Sequence, residues 1–574
     1  MPHSRPDETP ASPASMPWLA RYPAGIDWHQ RFSPSPVHEM LDRAADRYPR
    51  KTCTHFLGRE MSYGEIQRLV NHAAAGLQRL GVGRGVKVGL FLPNSPTFVV
   101  AYYAVLKAGG TVVNFNPLYS LEELEHQIRD SGTELMVTLD LKVLFAKVEA
   151  LIAKGILKRA VVASFASLLP AVKSALFRLT KGQDLASPAS STVADRIVLQ
   201  DTLIANDGRP DPVAIDPFTD LAVLQYTGGT TGTPKGAMLT HANVTVNVEQ
   251  VTAWCPGLEY GEERVMGILP FFHVFAMTVV MNFGVARAAE LVLMPKFEII
   301  EALKLIGAMK PTVLPGVPTL FNAILNNPRT KRYDMSSLKF CLSGGAALPL
   351  EVKRGFETLT GAKLVEGYGL SETSPVATVN PLEGPVKEGS IGQPLPGTRI
   401  SIRSLEDPTK ALGLGEDGEI CIAGPQVMAG YWQKPEDTAA VMTGEFFRTG
   451  DIGHMDEEGF TFIVDRLKDM INASGFKIYP RRVEEVLYEH PAVEEVIVIG
   501  IPDQYRGEAP KAFVKLRDGK SATPQELTEF VRPKLSKIEL PAEIEIRSSL
   551  PKTMVGKLSK KELKAEEAAK RKGG

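Results

Sequence analysis

The sequence predicts an α/β protein. A large N-terminal domain of doubly wound parallel sheets carries a small β-rich subdomain, and a small hinged α+β domain follows. Three observations predict this. From Glu39 to about Leu139, apolar runs of strand length alternate with helically spaced segments, and glycines punctuate them. From Ser390 to Tyr431, Gly, Val and Ile recur at strand spacing. Past the polar run Asp465-Arg466-Leu467-Lys468-Asp469, a helix and two short strands form a pattern of their own.

Each element has its own signal. Tyr63 to Leu80 places Ile66, Leu69, Val70, Ala73, Leu77 and Leu80 on one helical face, and Gly81, Gly83 and Gly85 end it. Val88 to Leu92 is a short apolar strand closed by Pro93-Asn94. Phe98 to Lys107 is helical, and Gly109-Gly110 stops it before the strand Val112-Val113-Asn114. The stretch 151–199 differs: Lys154, Lys158, Arg159, Lys173, Arg178 and Lys181 alternate with Phe165, Leu168, Leu169, Leu176 and Phe177. Such a basic amphipathic element either lies on an anionic membrane surface or is an ordinary solvated face. Leu221 to Tyr226 is a strand, Val274 to Ala286 a buried apolar segment too short to cross a bilayer, and Phe460 to Val464 another strand. Beyond the polar run, Arg481 to Tyr488 is helical, Val496–Ile499 and Lys511–Leu516 are strands, and a charged helix begins near Ser559. The expected division is a tail over 1–33, a large domain over 34–465 and a mobile domain over 466–574.

Composition narrows the function. The chain has 574 residues, enough for three or four units at about 150 residues each. Lys+Arg is 65 and Asp+Glu is 66, a balance that argues against a nucleic-acid partner. Cys53, Cys255, Cys341 and Cys421 are widely spaced, which excludes a disulfide framework and fits a reducing compartment. No secretory pattern opens the chain, so a cytoplasmic location is expected, with peripheral contact at the inner face of a membrane allowed by the basic segment.

The chemistry concentrates in Tyr226-Thr227-Gly228-Gly229-Thr230-Thr231-Gly232-Thr233-Pro234-Lys235-Gly236. Gly228, Gly229 and Gly232 let backbone N–H groups turn toward an anion. Thr227, Thr230 and Thr231 add hydroxyls, and Lys235 adds charge. A phosphate chain needs this combination. The run is not a Walker A loop, because Thr233-Pro234 separates Gly232 from Lys235 and no Ser/Thr follows the lysine.

This run resembles the phosphate loop of the adenylate-forming superfamily of acyl-CoA synthetases, luciferases and peptide-synthetase adenylation domains. Further motifs follow in the superfamily's order. Glu366-Gly367-Tyr368-Gly369-Leu370-Ser371-Glu372 is similar to its adenine and metal motif. Arg448-Thr449-Gly450-Asp451 is similar to its ribose motif, and Asp465 to Lys468 to its hinge. Pro551 to Lys557 is similar to its C-terminal lysine loop. The resemblance runs from about Pro34 to Leu563. It implies ATP, Mg²⁺ and coenzyme A as cofactor and co-substrates.

The resemblance also implies roles. Tyr368 offers a flat face to adenine, and Gly344-Gly345-Ala346 lets the backbone approach it. Glu372 would hold Mg²⁺ with Thr227 as second ligand. Asp451 would accept from the ribose hydroxyls, and Arg466 would contact the ribose and phosphate side; Arg448 reads as structural. Lys557 would offset the repulsion when a carboxylate attacks an anionic phosphate. His273 either gates the acyl pocket or thiol tunnel or is a satisfied core histidine. Ser474-Gly475-Phe476 would line a pantetheine channel once the small domain rotates. Lys560 stands where an arginine is common, and Asn472 where luciferases carry a lysine.

Trp18-Leu19-Ala20-Arg21-Tyr22-Pro23, Val113 to Tyr119 and Leu269 to His273 resemble bacterial long-chain fatty acyl-CoA synthetases. The expectation is a long-chain fatty acid–CoA ligase that takes a fatty acid through acyl-AMP to acyl-CoA. A medium-chain synthetase and a fatty acyl-AMP ligase serving a carrier protein stay open as alternatives. The superfamily also suggests a homodimer.

Overall fold

The computed structural model describes residues 16–227, 234–473, 476–553 and 556–572. Two large sheets form the body. The first runs in the order Ile197–Leu199, Arg159–Ala163, Leu135–Leu139, Lys87–Leu90, Thr111–Asn114, Leu221–Tyr226, Gly236–Thr240, parallel except at the last pair. The second has nine strands. Its centre is parallel through Lys363–Gly369, Phe340–Ser343, Val313–Gly316, Arg264–Gly267 and Glu290–Leu293, and antiparallel strands lie at both ends. Helix Pro96–Lys107 is buried along its whole length except Lys107. That explains its uniformly apolar sequence: a helix with no wet face needs no polar stripe. Capping boxes at Ser62/Glu65, Ser120/Glu123, Thr240/Asn243 and Thr523/Glu526 fix where four helices begin.

Five strands form the small β subdomain: Arg399–Arg403, Gly418–Ala423, Met442–Thr443, Phe446–Met455 and Thr461–Arg466. The β-rich unit expected over Ser390–Tyr431 therefore continues to Arg466. The polar run expected as a separator is half strand. Asp451 pairs with Arg466 in the ladder, and buried Asp465 accepts the N–H groups of Arg466 at 2.7 Å and Arg481 at 2.9 Å. Side-chain polarity misleads there because each polar group has a partner within the fold. The basic stretch 151–199 is also not one element. Leu151, Ile152, Leu157 and the strand Arg159–Ala163 belong to the core, and the amphipathic part is helix Ala171–Lys181.

The C-terminal sheet joins Phe476–Ile478, Ile471–Ala473, Gly507–Leu516, Val493–Asp503 and Glu543–Ile546 around its own core of Ile471, Val483, Leu487, Val498 and Val514. Buried Lys511 reaches Glu543 at 2.9 Å, Glu545 at 3.0 Å and Glu567 at 3.1 Å, tying the last helix, Lys560–Lys572, to this sheet. Among the described residues no helix is long and apolar enough to cross a membrane.

Candidate active site

The parallel strands of the nine-stranded sheet end together, and loops leaving such ends form ligand crevices. Ser343 pairs with Glu366, so Gly344 and Gly345 leave their strand beside Gly367 and Tyr368. A Cβ on Gly344 would lie 3.1 Å from the Phe275 ring and 3.4 Å from the Gly367 carbonyl. A Cβ on Gly369 would lie 1.8 Å from the Pro375 carbonyl, so only glycine fits. Ala346 follows on the same exposed turn, and Ser371 opens the short turn that carries Glu372.

Asp451 is buried and fully engaged. The Tyr368 hydroxyl donates to Oδ2 at 2.6 Å, Arg466 Nε stands 3.1 Å from Oδ1, and the Asp451 N–H donates to Thr449 Oγ1 at 3.0 Å. The Asp451 carboxylate in turn holds the Arg466 guanidinium above its ordinary pKa. Arg448 lies in the neighbouring ladder and donates to Glu419 at 2.8 Å, a structural pairing. Burial pushes the Glu366 carboxyl up to about 7 against the pull of Arg481; its Oε1 accepts the Leu348 N–H at 3.2 Å.

Glu372 is buried, and burial raises its pKa. Its Oε1 accepts from the Tyr431 hydroxyl at 2.7 Å, and it forms no ion pair among the described residues. Lys235 lies over the Tyr431 ring, 5.2 Å from its centroid, and pairs with Asp437 at 2.8 Å. Thr227 donates its N–H to the Lys235 carbonyl at 2.9 Å, closing the neck of the glycine-rich loop. That loop joins the antiparallel pair Leu221–Tyr226 and Gly236–Thr240, so a strand intervenes before helix His241–Trp254. Gly228, Gly229, Thr230, Thr231 and Gly232 lie outside the described residues, as do Ser474 and Gly475. Phe476 is 60% exposed.

Lys557 comes to this cleft from the C-terminal domain. A Cβ on Gly345 would sit 2.4 Å from Lys557 Cε and 2.6 Å from Nζ, so the lysine lies against the bare glycine backbone. A tight turn presents it. The Lys557 N–H donates to Thr553 Oγ1 at 3.1 Å, the Thr553 N–H donates to the Lys557 carbonyl at 2.6 Å, and Gly556 has φ +83°. The Thr319 hydroxyl of the large domain donates to the Gly556 carbonyl at 2.6 Å and pins the turn. Burial pulls the ammonium down to about 8, helped by Arg466 and opposed by Asp451. His273 is neutral, pushed down to about 3 by burial and then by the Lys557 charge; its Nδ1 accepts the Phe275 N–H at 3.3 Å. Lys560 pairs with Glu484 at 3.2 Å inside its own domain.

Below the strand end lies a narrow, wholly apolar cavity walled by Val251, Trp254, Val279, Phe283, Leu342 and Val376. Its free volume is about 20 Å³. The π-helical turn Met277–Asn282 supplies Val279. Tyr431, Asp437, Thr319 and Phe275 were not identified from sequence. Each acts through a partner distant in the chain, and of the four only Phe275 lies beside a motif residue, His273.

The AMP-binding enzyme profile matches residues 41–432, and the AMP-binding enzyme C-terminal domain matches 482–557. The chain belongs to the AMP-binding enzyme family. It is 46% identical to a long-chain-fatty-acid–CoA ligase of Bacillus subtilis (strain 168), covering 96% of this chain and 98% of that one. It is 39% identical to a ligase of the same name from Yersinia pestis, with the same coverage. Among solved structures, ATP-bound MatB from Rhodopseudomonas palustris is 27% identical with a TM-score of 0.80, covering 92% of this chain and 98% of that chain. An anthranilate CoA ligase in complex with anthranoyl-AMP is 25% identical with a TM-score of 0.82, covering 95% and 100%.

Proposed function

We propose that this family member is an AMP-forming long-chain fatty acid–CoA ligase. The observation that carries the reading is Lys557 seated on Gly345, in one cleft with Asp451, Arg466 and Glu372. A fatty acid carboxylate oxygen attacks the α-phosphorus of ATP. The bond from that phosphorus to the pyrophosphate oxygen breaks, and acyl-AMP forms. Two anions must approach for this step, and the Lys557 ammonium with Arg466 lowers the repulsion. In the second step the coenzyme A sulfur attacks the acyl carbon, AMP leaves with the anhydride electron pair, and the thiol proton passes to solvent.

Glu372 and Thr227 would hold Mg²⁺. The fit rests on a buried carboxylate without an ion-pair partner among the described residues and on the few protein ligands magnesium needs beside phosphate oxygens and water. When bound, the ion offsets phosphate charge. Tyr368, Gly344, Gly345 and Ala346 would take adenine, Asp451 the ribose, and the loop from Thr227 to Lys235 the phosphates. The apolar cavity would take the acyl chain, and His273 would gate the acyl pocket or the thiol tunnel. A hinge at Lys468–Asp469 would divide 34–465 from 466–574 and swing Ser474 and Gly475 toward the thiol. Cytoplasmic residence, peripheral membrane contact and pairing of two copies complete the reading.

A medium-chain acid is the one second reading. Pyrophosphate release with MgATP over fatty acids from C4 to C18, with and without coenzyme A, tests both. Turnover that needs coenzyme A and peaks at C12–C18 is expected. A peak at C6–C10 would change the substrate. Release of one equivalent, indifferent to coenzyme A, would overturn the ligase reading in favour of transfer to a carrier protein.

A further inference from the structure

Helix Pro318–Asn326 of the large domain has two faces with different partners. Leu320, Phe321 and Ile324 are buried in the core. At 3.6 residues per turn, Thr319, Asn322 and Asn326 share an arc about 60° wide on the opposite side. All three reach the C-terminal domain. The Thr319 hydroxyl donates to the Gly556 carbonyl. Asn322 and Asn326 form a head-to-tail relay with Arg517. Arg517 Nη1 donates to Asn326 Oδ1 at 2.6 Å, Asn326 Nδ2 donates to Asn322 Oδ1 at 2.6 Å, and Asn322 Nδ2 donates to the Glu494 carbonyl at 3.2 Å.

The relay leaves the C-terminal domain, crosses one helix of the large domain and returns. Each amide uses its acceptor on one neighbour and its donor on the next, so the links polarise one another. Its two ends in the C-terminal domain are held. Arg517 Nε also donates to the Val493 carbonyl at 3.0 Å, and the Glu494 carboxylate pairs with Lys515 at 2.6 Å. The next residue, buried Glu495, takes Lys552 at 2.5 Å, just upstream of the turn that presents Lys557. The strand end that the helix grips is thus the strand end from which the lysine turn hangs. A rotation of the C-terminal domain would break both ends of the relay. We infer that Asn322, Asn326 and Arg517 are positioning residues for adenylation: they hold the C-terminal domain in the arrangement that seats Lys557 on Gly345. The role of Lys557 in that step rests on the ligase reading; the hold of the relay on the domain does not.

Asn322→Ala and Arg517→Met test the relay, with Arg517→Lys as the conservative variant. Single-turnover assays measure acyl-AMP formation from MgATP and palmitate, and thioester formation from supplied palmitoyl-AMP and coenzyme A. Asn322→Ala and Arg517→Met should each slow acyl-AMP formation about fivefold and spare thioester formation. Arg517→Lys should recover most of the loss. Spin labels read the arrangement of the domains without any chemistry. The four native cysteines are buried, whereas Val143 in the large domain and Tyr505 in the C-terminal domain are 65% and 94% exposed, so Val143→Cys and Tyr505→Cys take the labels. With MgATP present, the otherwise wild-type protein should give one dominant distance, and Asn322→Ala or Arg517→Met should spread it over others. Equal slowing of both half-reactions would overturn the inference, as would a distance distribution that neither variant changes. If wild type itself forms no acyl-AMP, the ligase reading fails and the label distances alone decide on the relay.

Discussion

Lys557 carries the sharpest expectation at the scale of single residues. Lys557→Ala should cut acyl-AMP formation by orders of magnitude and still convert supplied acyl-AMP to acyl-CoA; rapid quench of each half-reaction separates the two. Because burial lowers its ammonium to about 8, the free enzyme loses this charge as pH rises through that value. The kcat/KM of adenylation should fall on the same limb. Glu366 titrates the other way. Its folded pKa, about 7, lies above the ordinary 4.5, so its contribution to stability is full below 4.5 and is lost as pH rises through 7. Glu366→Gln should therefore gain on wild type across that window, by up to about 3 kcal/mol in urea unfolding at pH 8. Lys557, Asp451 and Glu372 were legible because the chain stores them in short local runs. Tyr431 and Thr319 were not, since a hydroxyl that serves Glu372 across 59 residues or Gly556 across 237 leaves no local trace.

Elements were legible wherever pattern and burial agree. Leu221–Tyr226 and the helix from Tyr63 fall where alternation and 3.6-residue spacing put them. Gly236–Thr240 escaped notice because Gly-Ala-Met-Leu-Thr has weak strand propensity and is held by its partner, not by its own side chains. The π-helical turn Met277–Asn282 was equally hidden, since nothing in an apolar run distinguishes it from an ordinary helix. That turn yields a prediction about the apolar cavity, should it hold the acyl chain as proposed. Val279→Trp should fill the cavity and shift turnover toward shorter acids, read as the ratio of kcat/KM for C16 and C8, while ATP binding stays unchanged.

For the whole molecule the expectation is that the arrangement of its two parts decides which half-reaction runs. One hydrogen bond, Thr319 to Gly556, joins the lysine turn to the large domain. Thr319→Val should weaken that arrangement by about 1 kcal/mol. Adenylation should slow roughly fivefold with thioesterification from supplied acyl-AMP spared, a split that single-turnover assays read directly. The existence of a separate last domain was legible from Asp465–Asp469. Its seam was not, because Asp465 and Arg466 are polar yet locked into the β subdomain by Arg481 and Asp451.

The Lys511 cluster bears on how this chain tolerates handling at its end. Lys557 precedes a helix that is moored to the domain by the Lys511–Glu567 contact, and Lys552 is anchored to Glu495 on the other side at 2.5 Å. The lysine turn is thus a short span between two fixed posts, and its reach is set by the posts more than by its own residues. Clipping the chain before Glu567 would leave Lys511 with one carboxylate fewer and free one post. The loss would be felt as a misaimed lysine 10 residues upstream, in an enzyme that still folds and still binds ATP.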